Sequence, residues 1–159
     1  MKLWERRLGT VRHKPGAHQQ ELAAFGWWFA TGLFEQRWAI EQLRQVTDLT
    51  GGRVDATHMV VAKLAEAARS APATAVEILA RIMEGDRGRT IVGWRDQGRN
   101  VLSAVIESSD EQAREAAMRL LDAFEVEELP QDTTWESAAS RPSSRRGAAE
   151  GMRPVGGPQ

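Results

Sequence analysis

Apolar residues recur along this chain at helical spacing, so the pattern predicts helices from end to end of the folded part. Leu3, Trp4, Leu8 and Val11 mark a short first helix, and His13 to Gly16 interrupt it, Pro15 most firmly. The richest stretch follows, Phe25 to Val46. At about 100° per residue, Leu22, Phe25, Trp28, Phe29 and Leu33 fall on one side of a helix. Trp38, Ala39, Leu43, Val46 and Leu49 form a broad stripe on the next. Gly32 between them suits a left-handed C-cap onto which Leu33 is expected to fold back. Trp27 lies nearly opposite Phe29 and is therefore expected to be exposed or to meet another layer.

Thr50, Gly51 and Gly52 stop that second helix, and Asp55 is the expected N-cap of the next, which carries Val60, Val61, Leu64, Ala67 and Ala68 on one face. Pro72 suits a first helical turn, and Ala75, Ile78, Leu79, Ile82 and Met83 form the stripe behind it. Gly85 and Asp86 end this helix. A fifth helix from near Ile91 places Trp94, Gly98, Val101, Leu102 and Val105 together. Gly98 in an apolar stripe suggests that a neighbouring element comes close. Ser109 to Gln112 has the order of a capping box for a sixth helix bearing Ala113, Ala116, Ala117, Leu120, Leu121 and Phe124.

From about Gln131 the apolar rhythm gives way to Pro, Ser, Gly, Arg and Ala, a composition that cannot offset its ordering entropy. The expected organisation is an N-terminal helical stub (1–16), an α-helical domain (17–130) and a disordered tail (131–159). Within the domain the pattern repeats. Advancing Leu64, Ala75, Ile78, Leu79, Ile82 and Met83 by 38 positions gives Leu102, Ala113, Ala116, Ala117, Leu120 and Leu121. Moving Leu64, Ala75, Leu79 and Ile82 back by 36 gives Trp28, Ala39, Leu43 and Val46. Helical pairs at about 20–50, 54–85 and 90–126 emerge, a period in the range of HEAT and armadillo solenoids. A non-repetitive helical bundle is the alternative all-α architecture.

Composition narrows function more than fold. The chain of 159 residues carries a net charge of −1, so no overall basic excess favours nucleic acid. It has no cysteine, which excludes disulfides, thiol nucleophiles and cysteine-ligated metals and suits the cytoplasm. No apolar run of about 18 residues would span a membrane, and the segment MKLWERRLGT lacks the core of a signal peptide.

No catalytic motif stands out. The three histidines, His13, His18 and His58, have no chelating spacing. There is no G-x-S-x-G and no phosphate loop, and the carboxylates gather at helix ends rather than converging. No enzyme activity, cofactor or metal is therefore expected. The candidate binding residues are Trp4 and Trp27, and a basic group made of Arg87, Arg89, Arg95 and Arg99 that offers a phosphate- or nucleic-acid-binding alternative.

The segment FGWWFATGLFEQRWAIEQL, followed by two more helical pairs and WRDQGRNVL, resembles the HEAT-like helical region at the C-terminal end of large bacterial proteins. Some of these are similar to multi-domain NTPases of the signalling and anti-phage type. The resemblance covers about Leu3 to Leu129. It implies a helical module, or a fragment of a larger protein, whose partner is another protein or further domains of a longer chain.

Overall fold

A computed structural model describes residues 2–13, 18–86 and 93–126. The expected tail (131–159), Arg87 and Arg89 lie outside the described residues. Those residues form α1 (Lys2–His13), α2 (Gln19–Ala23), α3 (Phe25–Thr31), α4 (Gln36–Thr50), α5 (Thr57–Ala67), α6 (Pro72–Asp86), α7 (Arg95–Ile106) and α8 (Glu111–Val126), with no strand among them.

The first aromatic helix is broken in two where the sequence pattern predicted one. The Ala23 carbonyl accepts the Asp55 N–H at 2.9 Å, and the Trp27 N–H turns to the Ala24 carbonyl at 3.2 Å instead. That three-residue step tightens the chain between α2 and α3, and a single helical wheel drawn from Leu22 to Leu33 does not hold across it. Gly26 sits at the break because a Cβ there would lie 2.1 Å from the Asp55 carbonyl oxygen.

Gly32 ends α3 at φ 66°, donating its N–H to the Phe29 carbonyl, as the pattern requires. Leu33 does not fold back onto that turn. Phe34 does so instead, stacking on Trp28, while the end of the Lys63 side chain covers Gly32.

Capping departs from expectation twice. Asp55 does not cap α5: the residue before that helix is Ala56, in the left-handed region at φ 53°, and the Asp55 backbone is engaged with α2. Before α8 the cap is Asp110 rather than Ser109. Its Oδ1 accepts the Ala113 N–H at 3.0 Å, and the Ser108 hydroxyl accepts the Asp110 N–H.

Consecutive helices pack on one another as α3 with α4, α5 with α6, α6 with α7 and α7 with α8. In addition α5 packs on both α3 and α7, and α6 on both α4 and α8. One apolar core runs through all of them, from Phe25 and Leu43 through Leu64, Ile78 and Leu79 to Leu102 and Phe124. Leu8 and Val11 of α1 are buried in the same core, so α1 is packed against the helical domain.

Small residues set the closest seams. A Cβ on Gly52 would lie 1.7 Å from the Arg81 carbonyl oxygen, and one on Gly85 would lie 2.4 Å from the Gly51 oxygen. The α4–α5 turn and the end of α6 therefore touch backbone to backbone. Gly98 meets the Phe124 ring and Trp94, the close approach its sequence position suggested.

A charged ladder runs along α4 and α6. Arg44 donates to both carboxylate oxygens of Glu41, at 2.8 and 3.0 Å, and reaches Asp48 at 3.3 Å and Glu77 at 3.8 Å. Arg81 bridges Asp48 and Glu84. At the start of α4, Glu35 accepts the N–H groups of Arg37 and Trp38 at 2.9 and 2.7 Å.

The Arg37 and Trp38 amides hold the Glu35 carboxyl below its ordinary 4.5, and the Arg44 guanidinium does the same for Glu41. In both cases the unfolded chain takes up the proton first as pH falls. The stability these groups supply is complete above about 4.5 and is lost as pH drops through their lower folded values. Thermal midpoints are accordingly expected to stay flat from neutral pH to about pH 5 and then to fall, with Glu35→Gln flattening the decline; melts followed by circular dichroism across pH test this. Gly85→Ala should lower stability by about 1–3 kcal/mol, because backbone cannot step aside from the new methyl. Gly9→Ala in α1 meets open space and should leave stability equal or raise it by up to about 1 kcal/mol. Denaturant titrations of the two variants compare them directly.

Candidate interaction site at the aromatic edge

The α3–α4 hairpin carries a file of touching rings that runs from the interior to the surface. Trp4 stacks on the buried Phe25 at 4.7 Å between centroids, and Phe25 meets Trp38 edge-on at 6.2 Å. Trp38 touches Phe34 at 5.3 Å, and Phe34 lies nearly parallel to Trp28 at 6.1 Å. The file ends in solvent: Trp28 is 58% exposed, its neighbour Trp27 is 52% exposed, and Leu33 just past the turn is 83% exposed. Beneath this edge lies a cleft of about 150 Å³, lined by Phe29, Gly32, Phe34, Ala39 and Ala67. The Lys63–Glu66 ion pair stands at its rim.

The sequence pattern left Trp27 either exposed or against another layer, and it is exposed. The pattern also placed Trp28 and Leu33 inside, and both are at the surface. Trp28 lies between the directions of Phe25 and Trp27, at the margin of the stripe, and in a seven-residue helix no further turn extends the core beneath it. Adjacent tryptophans stand about 100° apart on a helix and cannot both point at one core, which is the signal in the sequence that this edge would be apolar and open.

Trp4 faces inward in part. It is half-buried, and its indole N–H donates to the Gln42 side-chain oxygen at 3.1 Å, which gives the buried Gln42 amide a partner. Of the basic group, Arg87 and Arg89 lie outside the described residues. Arg95 is half-buried, and its Nη2 donates to the Phe124 carbonyl at 3.2 Å, tying α7 to the last turn of α8. Arg99, one turn further along α7, is also half-buried and engaged within the molecule. The neighbouring Trp94 is 1% exposed and donates its indole N–H to Asp86.

His13 and His58 are exposed, and His18 pairs with Glu21 at 3.0 Å. Among the described residues no group of three or more His, Asp or Glu side chains converges to hold a metal ion, and no helix is long and apolar enough to cross a membrane. No protein-family model, curated protein or solved structure matches this chain.

The contrast between edge and core tryptophans is measurable. Trp27→Ala should change stability by no more than about 0.5 kcal/mol, as for an exposed substitution. Trp94→Ala should cost about 3–5 kcal/mol. Denaturant unfolding of each variant gives the two values side by side.

Proposed function

We propose that this chain is a non-enzymatic helical-repeat module that binds protein through the aromatic edge of its first hairpin. The observation that carries the reading is the cluster of Trp27, Trp28 and Leu33, large apolar side chains left in water within about two helical turns of chain. Scattered exposed leucines are ordinary, but adjacent indoles above a ready-made cleft are what anchor residues of interfaces look like before a partner covers them.

The repeat reading has its own support. First helices of successive pairs (α3, α5, α7) adjoin one another, as do second helices (α4, α6, α8), which is how HEAT-like hairpins stack. Positions related by the repeat are buried alike in the second helices: Ala39, Ala75 and Ala113, and likewise Leu43, Leu79 and Ala117. Trp28 departs from this as the exposed counterpart of the buried Leu64 and Leu102, and Leu120 is half-buried where Val46 and Ile82 are buried. The module interpretation also accords with the resemblance of the aromatic segment to helical regions of large bacterial proteins. Against anion binding as the main role stands the engagement of Arg95 with the Phe124 carbonyl, which draws its guanidinium toward α8.

Affinity capture with the whole chain, compared with the Trp27→Ala/Trp28→Ala double variant, tests the reading. The variant is expected to keep its helical circular dichroism and lose the captured protein. Equal capture by both forms, or collapse of the fold in the variant, would overturn it.

A further inference from the structure

The helix α1 is held by side chains of one face. Trp4 stacks on Phe25 of α3 at 4.7 Å and donates to Gln42 of α4, and Leu8 and Val11 are buried. Arg7, on the edge of that face, pairs with Glu21 of α2 at 3.2 Å. Among the described residues no main-chain hydrogen bond joins α1 to another element, whereas α2 is bonded to the Asp55 amide. The α1 backbone also packs less closely on α2, α3 and α4 than these do on one another.

The helix is weak in itself. Its 12 residues are too few to stay helical alone in water, and Gly9 near its middle lowers the propensity further. A Cβ at Gly9 would meet open space, so packing does not require glycine there. What keeps α1 folded is therefore the groove beneath it. Trp4, Arg7, Leu8 and Val11 stand at i, i+3, i+4 and i+7, the spacing by which an amphipathic helix anchors in the groove of another protein. The groove answers each kind of group: the Phe25 ring, backed by Trp38, for the indole, the Gln42 oxygen for its N–H, and Glu21 for a cation.

We infer that the groove over α2, α3 and α4 is a helix-binding site with α1 as its built-in occupant. The helix α1 opens apart from the rest of the domain and yields the groove to an amphipathic helix of a protein partner. That helix carries an aromatic residue, a basic residue and two aliphatic residues at the spacing of Trp4, Arg7, Leu8 and Val11. The site is separate from the exposed edge of Trp27, Trp28 and Leu33 and stands independently of the reading proposed for it. The fraction of molecules with α1 open sets the apparent affinity for the incoming helix.

Gly9 supplies the lever for a test. Gly9→Pro takes one N–H out of the α1 hydrogen-bond series and crowds the Glu5 carbonyl, while its Cβ meets no neighbour. Hydrogen exchange followed by mass spectrometry on the whole chain reads α1, α4 and α6 together. In wild type the α1 amides are expected to exchange at least about a hundredfold faster, relative to intrinsic rates, than those of α4 and α6. Gly9→Pro should remove the protection of α1 and leave α4 and α6 protected. A dye-labelled peptide of residues 2–13 then probes the opened groove by fluorescence anisotropy. The Gly9→Pro chain is expected to bind it at least about tenfold more tightly than wild type, and the same peptide carrying Leu8→Asp should not bind. Wild-type α1 amides as protected as those of α4 and α6 overturn the inference without recourse to any variant. So does a Gly9→Pro chain that unfolds throughout, that binds the peptide no better than wild type, or that takes the Leu8→Asp peptide equally well. Capture of a protein through Trp27 and Trp28 is untouched by any of these results.

Discussion

The hydrogen bond from the Asp55 amide to the Ala23 carbonyl is the contact on which the arrangement of the first hairpin depends. It takes one acceptor out of a helix that the apolar pattern would have continued, and so divides α2 from α3. It also brings the α4–α5 connection against α3 so closely that only glycine fits at position 26. The opposite side of the same connection lies against α6, where Gly52 and Gly85 are in backbone contact. A single short turn is thus wedged between two helical layers, and the spacing of those layers is set by main chain rather than by side-chain volume.

Much of this fold was legible in the apolar rhythm. The faces Val60–Val61–Leu64–Ala67, Ala75–Ile78–Leu79–Ile82 and Val101–Leu102–Val105 are buried as their spacing requires, because each belongs to an unbroken helix of three turns or more. Gly98 announced the approach of Phe124. Where the rhythm misled, a tertiary contact had overridden a local preference. The wheel from Leu22 to Leu33 ignored both the break at Ala24 and the short length of α3, which leaves Trp28 at the margin of the stripe and Leu33 beyond the Gly32 cap. Nothing local in the sequence reveals that break, because the amide that claims the Ala23 carbonyl belongs to Asp55, beyond the whole of α4.

The candidate site was half legible for the same reason. Trp27 could be set apart from the core stripe by its position opposite Phe29. The cleft beneath it could not, because it is made jointly by residues of α3, α4 and α5 that come together only after the hairpins pack. Trp4 shows the converse: a candidate binding residue in the sequence, it is drawn partly inward by a ring partner and a buried amide oxygen. Arg95 likewise belonged to the alternative anion-binding group, and a helix-end carbonyl holds it.

The wedged α4–α5 turn also bears on how the molecule opens. Connections between helices ordinarily exchange their amide hydrogens early, since their N–H groups face water. Here the Gly52 N–H is held locally by the Thr47 carbonyl, but the Asp55 N–H is bonded to α2, so it is not released by fraying of the turn alone. Hydrogen exchange at Asp55 requires α2 to part from the connection, which makes this loop a reporter of hairpin separation rather than of local motion.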